Sequence, residues 1–430
     1  MLKFRKTALS ITAALLSSFT MADENLNTLQ SEIDALNAKL NSPQVVQTSP
    51  NLASMSQDYQ HGQSYLDKDD GFYIDAQPSV TYELAILKEE QQHPFEGLKF
   101  GGYFEQDVQY WNGDSLTTTD NTIYHRGMGL YFTSLNLDFL AKINDWTSIL
   151  MRPEMQNLGT SSESVGMHDI FLTFGNLSKF PLYATIGKTY LPFGAFPGGG
   201  LWAAPLTRIA FRPGTGNQLI FGYYEQGLGT SLSFFDRSSF SAYPSDFAYR
   251  LGYNTDQGKW TYGGGFSYLN DLRGTSSGLG SQFASGGSFN SSKNARNPVL
   301  EVNGTIGYGL FQLDAEWLST QHQIFTTAGA NQGRPQAWNI DGSISPDVYG
   351  EPLTFMLAYS HTSHMQNTPM GLSGETSPGR SVQSGFSNQW IATVSREMLE
   401  GYFLGLEVAR DKLYNGQKTY ELTLDSSFYF

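Results

Sequence analysis

An all-β fold, a transmembrane antiparallel β-barrel of about sixteen strands, is predicted by three features of this 430-residue sequence. The first is its final stretch, KTYELTLDSSFYF, in which Tyr420, Leu422, Leu424, Phe428 and Phe430 fall on one side of an extended chain. Thr419, Glu421, Thr423, Asp425 and Ser427 fall on the other, so one face suits hydrocarbon and the other water. The second is the recurrence of that alternation in segments long enough to cross a bilayer when tilted, roughly 9 to 11 residues. The third is the sorting of the connections into alternating short turns and long loops, as a barrel with a periplasmic and an external rim requires.

Composition agrees. Charged residues make up 15% and aromatics 14%, against roughly 25% charged in an ordinary soluble domain. The deficit fits a surface turned in part toward lipid. Lys3, Arg5 and Lys6 precede an apolar run from Ala8 to Phe19 and the small-residue site Thr20-Met21-Ala22, which reads as a secretory signal peptide over 1–22. That run is too short for a membrane helix, and no later stretch is long and apolar enough for one. The chain has no cysteine, so thiolate metal sites, cysteine nucleophiles and disulfides are excluded. A net charge of −14 argues against nucleic acid as a partner.

Leu26, Leu29, Ile33, Leu36 and Leu40 recur at 3,4 spacing and predict a short coiled-coil helix over 23–41. Two heptads pair only if something else holds subunits together, as in a homotrimer of barrels; a single amphipathic helix on the barrel rim is the other reading. Residues 42–97 form a polar periplasmic linker and a pre-barrel segment, in which GFYIDAQPSVTYELAILK predicts a short strand and a helical turn with the character of a plug.

The barrel is expected over 98–430, as an outer-membrane domain with the N-terminal tail in the periplasm. Its strands are predicted from Leu98 and then near 129–141, 146–156, 168–175, 182–189, 218–224, 228–236, 247–254, 259–269, 298–307, 310–318, 337–344, 352–361, 387–396, 402–411 and 417–430. Lys142–Asp145, Asn254–Gly258, Gly307–Gly309 and Arg396–Gly401 are read as short turns. Asn112–Gly127, Tyr190–Asn217, Asn270–Asn297, Ser319–Gln336 and Thr362–Phe386 are read as long loops. Trp111, Trp146, Trp260, Trp317, Trp338 and Trp390 fall near strand ends, where lipid headgroups take amphipathic rings.

A barrel of this size leaves an aqueous lumen, so the expected function is passage of a solute. In the connection after Tyr190, Arg208 and Arg212 stand four apart among Phe193, Phe196, Trp202 and Phe211; two guanidiniums there would favour anionic groups, or would pair with wall carboxylates and anchor the loop. The predicted inward face of the wall is mostly acidic, with Glu105, Asp107, Asp138, Glu301, Asp314, Glu316, Glu407 and Glu421 against Arg250. His361 and His364 would point to opposite faces of a strand. No catalytic motif, metal-ligand spacing or cofactor fingerprint is present, so no enzyme is expected.

With the coiled-coil segment around Leu26–Leu40, the first strand KFGGYFEQDVQYW and the strand-to-loop motif GKTYLPFG at Gly187–Gly194, the sequence resembles the LbtU-type siderophore porins, related in layout to phosphate-selective-type porins. That resemblance implies import of a ferric siderophore without the large plug domain of TonB-dependent receptors. By their own chemistry Arg208 and Arg212, with ring contacts from Phe193, Phe196, Trp202 and Phe211, could take a ferric chelate built on carboxylates or hydroxamates. Arg250 is a further candidate for contact or constriction. The residues themselves support a pore more directly than a siderophore. A general or anion-leaning diffusion porin and a structural or adhesive barrel are the alternatives.

Overall fold

The computed structural model describes residues 64–66, 72–74, 81–92, 94–117, 123–158, 163–235, 246–284, 287–290, 296–371, 381–382 and 384–430, all within one compact unit, Leu52–Phe430. The predicted signal peptide, the coiled-coil helix and most of the linker lie outside the described residues. A two-stranded hairpin, Ser64–Leu66 with Phe72–Ile74, precedes helix α1, Tyr82–Gln92.

Sixteen antiparallel strands then close on themselves. They are β1 Gly97–Thr117, β2 Ile123–Asn144, β3 Thr147–Leu158, β4 Ser164–Asn176, β5 Phe180–Tyr190 and β6 Thr215–Glu225. Next come β7 Leu228–Phe235, β8 Asp246–Gln257, β9 Trp260–Leu269, β10 Val299–Tyr308 and β11 Phe311–Thr320. The ring is completed by β12 Gln336–Ile344, β13 Glu351–Ser363, β14 Phe386–Leu399, β15 Tyr402–Leu413 and β16 Lys418–Tyr429. Each pairs with its neighbour in sequence, and β16 closes the ring on β1 with Asp425 opposite Asp107 and Leu424 opposite Val108. Closure leaves no unpaired sheet edge, which is the condition for a β structure to stand in hydrocarbon. No helix of the described residues is long and apolar enough to cross a membrane; the crossing elements are strands.

Every strand expected from the sequence is present, and the alternation has the expected sense. On β16, Tyr420, Leu422, Leu424 and Phe428 are exposed outside, while Thr419, Glu421, Thr423, Asp425 and Ser427 are buried inside. Aromatic rings form two outer bands. At the short-turn rim Tyr402 stacks on Phe428 at 4.3 Å and Trp260 meets Tyr308 at 4.7 Å; toward the long loops Trp338, Tyr359 and Trp390 follow one another at 5.3 and 4.6 Å. Such girdles sit at headgroup level on both sides of an apolar belt.

Two expectations are corrected. Asn112–Gly127 is mostly strand rather than a long loop, because β1 and β2 run on past the belt as an extended hairpin. Trp111 shares the inner face of Asp107 and Gln109 and faces the lumen, since a period of two puts alternate residues on one side whatever their polarity. Trp146, Trp260, Trp317, Trp338 and Trp390 are exposed on the outside, as expected.

The short rim is built from tight turns such as Gln226-Gly227, both at positive φ, which matches the twist of the strands it joins. The long connections pack together instead of standing free. Leu191, Phe193 and Phe196, Leu206 and Phe211 of helix α2 (Leu206–Phe211), Leu279 of helix α3 (Gly278–Ser281), and Met365 and Met370 join wall residues such as Leu318 and Phe386 in one apolar cluster.

Candidate functional site in the barrel lumen

Two segments fill the lumen. The first is α1, which is buried on nearly all faces although its sequence is not strongly apolar. Tyr82, Ala85 and Ile86 pack on Leu140, Leu150 and Phe171; Leu84 and Leu87 pack on Tyr183 and Ile220. These partners are inward residues of β2 through β6, so the helix lies inside that half of the wall. The helical turn expected in the pre-barrel segment is α1, packed on the inner wall.

Polar contacts set its register. At the short-turn end Glu90 accepts from Lys142 Nζ at 2.7 Å and from Ser148 Oγ. At the other end the Arg152 guanidinium lies 4.4 Å over the Tyr82 ring while holding Asp138 by two bonds, Nε to Oδ1 at 2.5 Å and a second nitrogen to Oδ2 at 2.7 Å. Fork geometry of this kind needs arginine. Glu83 is fully buried, and burial pushes its carboxyl up to about 7, with Thr81, Asp169 and Arg250 as its polar neighbours. A cavity of about 750 Å³ opens at the short-turn rim between α1 and the turns around Asp145 and Lys179.

The second segment is the connection 191–214, which crosses to the opposite half of the wall. Its backbone is held by wall carboxylates. Glu316 on β11 accepts from the Ala195 and Phe196 N–H groups at 2.9 and 2.8 Å, and Glu407 on β15 accepts from Trp202 and Ala203 at 3.0 and 2.9 Å. Asn339 donates to the Pro197 carbonyl at 2.8 Å, and the Trp202 ring lies 5.3 Å from Tyr131 on β2. The glycines of Pro197-Gly-Gly-Gly allow this approach: a Cβ at Gly200 would fall 1.8 Å from Glu407 Oε2.

The connection after Tyr190 therefore turns in along the wall, held there by the backbone N–H groups of Ala195, Phe196, Trp202 and Ala203 donating to Glu316 and Glu407. Arg208 is exposed on α2, and Arg212 lies 4.1 Å over the Tyr190 ring. Phe193, Phe196 and Phe211 are buried in the apolar cluster, while Trp202 stays half-buried against Tyr131. Arg250 projects from β8 toward Glu301, Glu316, Tyr183 and Glu83. His361 faces outward beside Trp338, 5.9 Å away, and His364 follows the strand end in an exposed turn. The predicted inward acids Asp107, Asp138, Glu301, Asp314, Glu316, Glu407 and Glu421 are buried, Glu105 partly, and Asp341, Glu397, Asp411 and Asp425 join them. From β10 to β16 the described inner face carries no lysine or arginine.

A closed, polar-lined ring of strands with an apolar, aromatic-banded exterior defines an outer-membrane β-barrel of porin type. Residues 74–278, somewhat under half of the chain, match a family described as "Protein of unknown function (DUF3573)". That stretch carries α1 and the crossing loop. A UPF0422 protein of Legionella pneumophila strain Lens is 30% identical over 218 residues, 45% of this chain and 39% of the relative. A UPF0422 protein of Coxiella burnetii strain RSA 493 is 26% identical over 260 residues, 55% of this chain and 52% of the relative. The chain thus matches only about half, or less, of the length of these relatives. Among solved structures, the outer membrane channel DcaP of Acinetobacter baumannii is 12% identical, with a TM-score of 0.49, over 78% of this chain and 99% of its own. An anion-selective porin from Comamonas acidovorans is 11% identical, with a TM-score of 0.49, over 77% and 99%.

Proposed function

We propose that this protein is a porin-like channel of the outer membrane whose path is narrowed by the loop 191–214 and gated by α1. The observation that carries the reading is the closed ring of sixteen strands with a polar inner and an apolar outer face. The acidic inner wall favours passage of cations, which puts a cation-preferring pore ahead of an anion-leaning one. A homotrimer, a periplasmic N-terminal tail and short turns facing the periplasm belong to the same reading. The finer reading implied by the resemblance, import of a ferric siderophore, would engage Arg208, Arg212 and Arg250, with Trp202 as the ring of the loop that lies outside the apolar cluster.

Full-length protein in planar lipid bilayers tests this. Discrete conductance steps are expected, with a reversal potential on the cation side in a salt gradient, and larger steps when Ile86→Asn and Leu87→Asn weaken the docking of α1. A folded barrel that conducts in neither form overturns the channel and favours a structural or adhesive role. Block by a ferric siderophore, but not by its iron-free form, would support the finer reading; no effect of either would overturn it.

A further inference from the structure

We propose that the inner wall of the barrel holds a divalent cation, Ca²⁺ by its donor set, between Glu105 and Asp107 of β1 and Asp425 of β16. One carboxylate oxygen from each lies within 4.8 Å of the others, the span that one ion with oxygen ligands at about 2.4 Å bridges. Asp107 and Asp425 stand directly opposite one another across the seam that closes the barrel, and both are buried. Like charges in register on adjacent strands repel, and here no lysine or arginine shares the inner face of β16, of β15 or of β1 between Tyr103 and Gly113.

Independent of the acids themselves, two neutral oxygens beside them point to a ligand. Thr423 and Gln109, themselves opposite one another on the same inner face, are fully buried, and neither Thr423 Oγ1 nor Gln109 Oε1 has a hydrogen-bond partner. Asp107 Oδ1 also has none. Leaving several such oxygens buried together is costly unless a positive centre takes them up. The three acids are also oriented: Ser134 Oγ donates to Glu105, Thr133 Oγ1 to Asp107 Oδ2, and Ser427 Oγ to both oxygens of Asp425 at 2.9 and 3.0 Å. Donors behind ligating carboxylates are what a fixed ion site needs.

The barrel contains its own contrast. Asp314 and Asp341 face each other in the same way on β11 and β12, but there Gln312 Nε2 donates to Asp314 at 2.8 Å and Asn339 Nδ2 to Asp341 at 3.1 Å. Amide donors serve that pair; at the seam hydroxyls hold the carboxylates, while Thr423 Oγ1, Gln109 Oε1 and Asp107 Oδ1 are left without a partner. All donors at the seam are oxygens, which selects a hard cation, and their placement along two twisted strands suits the irregular shell of Ca²⁺ better than the strict octahedron of Mg²⁺.

Equilibrium dialysis of the full-length, detergent-folded protein against radioactive Ca²⁺ near neutral pH tests the site without any requirement for conductance. One Ca²⁺ per chain is expected, displaced weakly by Mg²⁺. Asp107→Asn and Asp425→Asn should each weaken binding by about tenfold or more, and Asp341→Asn should leave it unchanged. Failure of the wild-type chain to bind Ca²⁺ overturns the site, whatever the variants do. So does binding that survives both seam substitutions. Absence of Ca²⁺ binding together with a more stable Asp107→Asn barrel would mean that a shared proton relieves the pair.

Discussion

Arg152 shows how one side chain can tie the plug to the wall. Its guanidinium is spent twice, on Asp138 in a two-bond fork and on the face of Tyr82 at the start of α1. Replacing it with methionine keeps the volume but strands the buried Asp138 carboxylate, a loss on the order of 3 to 5 kcal/mol for a broken buried pair. The expected result is a lower midpoint of thermal unfolding, with partial rescue by the double change Arg152→Met and Asp138→Asn. Arg152→Lys should restore the charge without the fork, leaving hydrogen exchange at Tyr82–Ala85 faster than in the wild type. Neither Asp138 nor Arg152 forms a recognisable pair in the sequence. They stand 14 residues apart and meet only because β2 and β3 are adjacent.

At the scale of the element, α1 and the crossing loop make separate predictions. Glu83 holds its proton up to about pH 7 when α1 is docked, against an ordinary value of 4.5. The docked state therefore binds more protons than the undocked one across that interval. Docking is strongest below about pH 4.5 and weakens as the pH rises through 7, by up to about 3 kcal/mol. Protection of the helix amides from exchange should fall on the order of 100-fold between acid and mildly alkaline pH, and Glu83→Gln should flatten the profile. Ile86→Ala, which empties a fully enclosed site against Leu150 and Phe171, should cost about 2 to 5 kcal/mol of docking at any pH. For the loop, Glu407→Ala removes the acceptor of two backbone N–H groups while its own strand stays paired. Single-channel records should then show added flicker and larger steps, with the folding yield little changed. Glu407 and Glu316 were readable as inward acids, yet their role as loop anchors was not, because the donors they meet lie more than a hundred residues away in sequence.

For the whole molecule the decisive quantity is the contrast between the two faces of the wall. Leu422 stands outside near the middle of β16, and arginine there should cost about 2 to 4 kcal/mol in a lipid bilayer. Thr423→Ala, one residue on and facing the lumen, should cost less, because that position never meets hydrocarbon. Urea unfolding in phospholipid vesicles compares the two, and equal losses would argue against the membrane orientation of the barrel.

The period-two alternation and the turn and loop lengths were enough to predict all sixteen strands and the inward acids of β1, β2, β10, β11, β15 and β16, because every strand repeats the same choice between lipid and water. That choice is local and is written residue by residue. What fills the lumen is decided differently. The lodging of α1 against β2 to β6, the clamping of the loop by Glu316 and Glu407, the burial of Phe193, Phe196 and Phe211 in the apolar cluster of the long connections, and the meeting of Asp107 with Asp425 at the closing seam all depend on closure. Closure brings residues more than 300 positions apart into register, and no local pattern in a chain records which distant face it will meet.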